Sequence, residues 1–155
     1  MDQPSIQLGP GPIDTDQLIL IVTGAHLRAE VGDRPIAYRL QGAILQWLAR
    51  NAPDSSLVPL VCSDIWYLND DDLRARPTIS IGGPGVNALA AFLTDKLPSA
   101  FSIEGVLTVQ MDLDFVELVC SCWGMGTAPT VNAVEAWIEK YMEVFLEHVV
   151  SRADA

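Results

Sequence analysis

The chain has 155 residues, half of them apolar, and sets nine basic residues against twenty acidic ones for a net charge of −11. That length supports one domain with its own core and is too short for two of ordinary size. No cluster of lysines or arginines is available to neutralise phosphates, which disfavours nucleic-acid binding, and the longest apolar run, "LILIV", is far short of the ~20 residues that span a bilayer.

The opening stretch, residues 1–15, is rich in proline and glycine without periodicity and reads as a mobile arm without the character of a signal peptide. Leu18 to Thr23 then form a buried strand that ends at Gly24. Asp33 reads as a helix cap with Pro35 in the first turn, followed by an apolar stripe of Ile36, Leu40, Ile44, Trp47 and Leu48 that ends near Asn51. The next strand, "SLVPLVCS", contains Pro59, which removes a ladder donor and so predicts an edge position or a bulge. A polar loop, "DIWYLNDDDLRARP", leads to the strand "TISI", which runs into glycines and a helix from about Val86 to Leu97.

After a loop, "PSAFSIEG", the alternation in "GVLTVQMDLDF" predicts a half-exposed strand, and "VELVCSCW" a second. Asp112 and Asp114 fall on one face or in the turn between them. The final helix carries Val134, Trp137, Ile138, Tyr141, Phe145 and Val149 on one face and an acidic rail of Glu135, Glu139, Glu143 and Glu147. The expected domain spans residues 16–150, with 151–155 as a disordered tail. Cys62, Cys120 and Cys122 sit in apolar segments, as reduced thiols packed like small hydrophobes do.

This order of elements predicts an α/β fold: a three-layer sandwich, Rossmann-like or flavodoxin-like, with a mostly parallel sheet and room for an antiparallel pair near residues 105–122. Ligands of such sheets bind at the carboxyl ends of the strands. The sequence gathers small and polar residues there: Gly24 and His26 after the first strand, Ser63 and Asp64 after the second, Gly82, Gly83, Gly85 and Asn87 after the third, and Trp123, Gly124, Gly126, Thr127 and Thr130 after the last. The candidate ligand-binding set is Gly24, Asp64, Gly82, Gly83, Gly85, Asn87, Gly124, Thr127 and Thr130.

The turn "GGPGVN" could bring backbone N–H groups to an anion, yet it has neither the G-x-G-x-x-G spacing nor the lysine of a P-loop, and Pro84 removes a donor. Its plainer role is a corner that permits close helix packing. For chemistry, Asp64, Asp70, Asp71 and Asp72 offer hard oxygen ligands for magnesium, and Asp64 with His26 offers a base. Cys62 or Ser63 as a nucleophile would need His26 beside it, and Arg28 and Glu30 could orient a substrate.

The windows "ISIGGPGVN" and "CWGMGTAPTVNAV" resemble the paired motifs of small α/β modules found in archaeal S-layer proteins and bacterial cell-wall-binding repeats. The segment opening with "LILIVTGAHL" is loosely similar to the strand, turn and helix that begin those modules. The resemblance implies roles for Gly82, Gly83, Pro84 and Asn87 in the first motif and for Gly124, Thr130 and Ala133 in the second. The chain shows no tandem repeat, export signal or surface anchor, so the resemblance implies a fold more than a cell-surface role.

Two functions are open at this point. One is a non-catalytic module that binds a small ligand or a protein partner at the carboxyl ends of its strands. The other is a metal-assisted hydrolase or transferase acting on a nucleotide-like substrate. A cytoplasmic location without membrane or nucleic-acid partners is expected, and Trp66 and Tyr67 in a polar loop suggest a contact surface through which copies of the chain could associate.

Overall fold

The computed structural model describes residues 14–154, and the first 13 residues of the expected N-terminal arm lie outside them. The chain enters through a short turn, Thr15–Gln17, capped by Asp14, whose side chain accepts from the Asp16 N–H. It then forms β1 (Leu18–Thr23), α1 (Leu27–Asn51), β2 (Val58–Ser63), α2 (Asp64–Leu68), α3 (Asp71–Arg74), β3 (Thr78–Ile81) and α4 (Ala88–Leu93). The remainder is β4 (Ser99–Ile103), β5 (Leu107–Met111), β6 (Val119–Gly124), α5 (Thr127–Lys140) and α6 (Met142–Ala153).

The strands make one sheet in the order β2-β1-β3-β6-β5-β4. The first four are parallel, and β5 and β4 extend the sheet with antiparallel pairings. The fold is therefore α/β, with an antiparallel β5–β6 pair in the expected region. From β1 the chain passes to β2 on one side and then to β3 on the other, which is where doubly wound sheets open a crevice.

Because both faces of the parallel half are covered, β1 reads as an uninterrupted apolar run rather than an alternating one. Ile19 and Ile21 face a core shared with Leu40 and Ile44 of α1, Trp137 of α5 and Phe145 of α6. Leu18, Leu20 and Val22 face a smaller core with Tyr67, Leu73, Leu89 and Leu93, from α2, α3 and α4. Those are the outer layers of a three-layer sandwich. Cys120 and Cys122 share the larger core, on one face as their spacing predicts. Pro59 lies on the edge strand, β2, and Gln41 donates to its carbonyl at 3.0 Å.

Several boundaries differ from expectation. Asp33 is not a helix cap: α1 begins at Leu27, capped by His26, whose Nδ1 accepts from the Arg28 N–H. Pro35 therefore lies inside the helix, and Asp33 joins Ala29, Ile36, Ala37 and Leu40 on its buried side. Arg28 and Glu30 belong to its first turns. The polar loop after β2 folds into α2 and α3, because Ser63 and Asp70 each cap a short helix. The segment expected as a loop after α4 contains β4, and α4 is shorter than expected.

Asp112 and Asp114 fall in the turn between β5 and β6, where the Asp112 carboxylate accepts from the N–H groups of Glu117, Asp114 and Val116, bonds that hold it below the usual carboxylate range. The single final helix is two. Tyr141 leaves helical geometry, with φ −130° and ψ −22°, and its hydroxyl donates to the Ala100 carbonyl on β4. The expected disordered tail is helical through Ala153.

Candidate functional site

The carboxyl ends of the parallel strands are held together by polar side chains that serve the backbone. Asp64 is the tie between three loops. One of its oxygens accepts from the Ala25 N–H at 3.0 Å and the Ile65 N–H at 2.8 Å, and the other from the Ala88 N–H at 2.7 Å. Asn87 is equally occupied. Its amide nitrogen faces the Val22 carbonyl, the Ser80 hydroxyl and the Ile81 carbonyl at 2.9–3.2 Å, while its oxygen caps α4 by accepting from Leu89 and Ala90. The side chain of Thr130 accepts from the Gly124 N–H and donates to the Gly126 carbonyl.

Close approach explains two of the glycines. A Cβ at Gly24 would overlap the carbonyl oxygen of Val86, so the β1 loop and the turn before α4 meet backbone to backbone. Gly82 has φ +105°, a conformation that side chains rarely adopt, and a Cβ there would overlap the carboxylate of Asp33.

Beside this framework is a cleft of about 370 Å³. One wall is the start of α1, with Arg28 and Asp33; the second is the turn Gly83-Pro84-Gly85-Val86; the third is Trp123 and the β6–α5 loop, with Met125, Gly126 and Thr127. The cleft joins strand ends of β3 and β6 to the helix that follows β1, the place expected from the topology.

Of the candidate ligand-binding set, Gly83, Gly85, Gly124, Thr127 and Thr130 line this cleft, beside Arg28, Pro84, Trp123 and Gly126, which the sequence also singled out. Gly24, Asp64, Gly82 and Asn87 stand behind it as the scaffold described above. His26 is exposed and engaged in capping α1. Asp70 caps α3 with its side chain, Asp71 and Asp72 are exposed, and among the described residues no three His, Cys, Asp or Glu side chains gather to hold a metal ion. The suggested magnesium set is thus split between a loop tie, a helix cap and two surface carboxylates. Cys62 is a poor nucleophile, since burial pushes its thiol up to about 11.

The residue that sequence reasoning misassigned is the most distinctive one. Asp33 is only 7 % exposed and projects into the cleft from the buried side of α1. Burial alone raises its pKa from 3.8 to about 6; no cation and no hydrogen-bond donor offsets it among the described residues. A carboxylate without compensation in a cleft is uncommon, because an uncompensated buried charge destabilises the fold. The signal was present in the sequence: extending the helix back to Leu27 puts Asp33 in the apolar stripe, four residues from both Ala29 and Ala37.

No protein-family model matches the chain, and no curated protein matches it in sequence. The likeness of its two glycine windows to S-layer and cell-wall-binding modules accordingly stands on those residues alone.

Proposed function

We propose that the protein is a non-catalytic α/β binding module that takes a small ligand in the cleft at the carboxyl ends of its parallel strands. The observation that carries this reading is the cleft itself, about 370 Å³ and walled by three separate chain segments, with the buried, uncompensated Asp33 carboxylate on its lining. That size suits a compact organic molecule. The occupied side chains of Asp64 and Asn87 support binding over catalysis, since both are committed to holding loops. The resemblance to S-layer and cell-wall-binding modules agrees with a non-catalytic role.

The test is a fragment screen followed by amide resonances. Bound fragments should shift Gly83, Gly85, Gly126 and Thr127. A Cβ at Gly85 meets nothing within 4 Å, so Gly85→Trp should fold normally while filling the cleft. Fragments that bind this variant as well as the parent would place recognition elsewhere.

A second reading, a protein partner over the same edge, is favoured by large apolar side chains that follow the ends of β1, β2 and β6: Leu27 and Val31 at 75 % exposure, Met125 at 72 %, and Ile65 and Trp66 above half. A second copy of the chain is the simplest such partner. Sedimentation velocity should then show a dimer that Val31→Ser with Met125→Ser dissociates. A monomer at every concentration would remove this reading.

A further inference from the structure

Resting on the reading of the cleft as a ligand site, we infer that its ligand carries a positively charged, hydrogen-bond-donating head group, an ammonium or amidinium, anchored by Asp33. The carboxylate lies on the cleft lining, with its oxygen against the backbone of Gly82, and it accepts no hydrogen bond from the described residues. Two ionised oxygens can accept about four hydrogen bonds, and a bound cation supplies both donors and the missing charge. Neither a neutral nor an anionic head group does both.

The other walls agree. Trp123 presents an aromatic surface, which attracts cations through its π face, and Pro84, Val86 and Met125 supply apolar contact for the body of the ligand. Among the described residues Arg28 is the one competing charge on the lining, and its side chain is exposed. It makes an anionic control informative, because an anion-selective cleft would use Arg28 and disregard Asp33.

The experiment uses three probes of one shape: phenethylamine, 2-phenylethanol and phenylacetate, titrated into the full chain while amide resonances are followed. Phenethylamine should shift Gly83, Gly85, Gly126 and Thr127 and bind about tenfold to a hundredfold more tightly than the alcohol, the gain expected of a charge-assisted hydrogen bond. Asp33→Asn, with its fold verified by an undisturbed spectrum away from the cleft, should abolish that preference while leaving alcohol binding in place. Equal binding of amine and alcohol, or an amine preference that survives Asp33→Asn, overturns the inference but leaves the cleft as a ligand site. If none of the three probes perturbs the cleft and the fragment screen is also silent there, both fall.

Discussion

Replacing Asp33 by asparagine should make the protein more stable, and by an amount that depends on pH. The side chain keeps its shape and loses its charge. In the native state burial raises the carboxyl from 3.8 to about 6. At about 1.4 kcal/mol per pH unit, the ionised form costs the fold about 2–3 kcal/mol. Since the folded-state value is the higher one, the native protein binds the proton more tightly than the unfolded chain. The contribution of Asp33 to stability is therefore whole below about pH 4, declines as pH rises toward 6, and stays at its minimum above. The asparagine variant has no such loss.

Urea unfolding of the two proteins should give similar stabilities near about pH 4, and a variant more stable by about 2–3 kcal/mol near about pH 7.5. For a chain of this length that corresponds to a melting point higher by roughly 5–10 °C. Using the difference between the proteins cancels the repulsion that the net acidic charge adds to both. It also cancels Asp112, whose lowered value shifts stability only at more acid pH. A variant of equal stability at both pH values, or a less stable one near neutrality, would refute the claim that the carboxylate is uncompensated.

Asp64→Ala removes the acceptor of three backbone N–H groups and should destabilise the protein by about 3–5 kcal/mol in denaturant titration, with a change below 1 kcal/mol contradicting the tie between loops. Gly24→Ala puts a methyl group into the Val86 carbonyl and should cost more than about 3 kcal/mol, whereas Gly42→Ala, with open space around it inside α1, should stabilise by roughly 0.5–1 kcal/mol. Calorimetry of the pair checks both, and similar melting points would show that the close approach is not tight. All three thiols should resist Ellman's reagent at about pH 8 and react only in denaturant, because burial holds Cys62 up at about 11 and Cys120 and Cys122 higher still. Rapid labelling of the native protein would contradict this.

The parallel half of the sheet was legible in the sequence because its strands are buried on both faces. "LILIVT" and "TISI" are continuous apolar or small runs, and the edge position of β2 was readable from Pro59. The β4 strand was not legible. Ser99–Ile103 is largely exposed at the far edge, so its strand character comes from backbone pairing with β5 and leaves little hydrophobic pattern. The break at Tyr141 was hidden for a related reason: the apolar stripe continues through it, and the contact made there, a hydroxyl reaching Ala100 on a strand far off in sequence, exists only in the folded chain.

The rim of the site could be read from its glycines and threonines, since strand-to-helix corners need small residues. Its chemistry could not. Asp-Arg-Pro has the local form of a helix start, and proline deep inside a helix costs about 3 kcal/mol, so a cap was the economical reading. Tertiary packing of α1 against the sheet overrides that local preference, and only the folded chain brings Gly82 against the carboxylate. Asp64 and Asn87 illustrate the converse. Polar residues at a strand end look the same in sequence whether they serve a ligand or the backbone.

The two borders of the sheet are unlike each other. Along β2, Pro59 has no N–H to offer and its carbonyl is taken by Gln41, so nothing at that position invites a further strand. Along β4 no proline intervenes. Two molecules joined through β4 would therefore turn outward the margins that Pro59 interrupts, where a continued ladder meets a missing donor and an occupied acceptor.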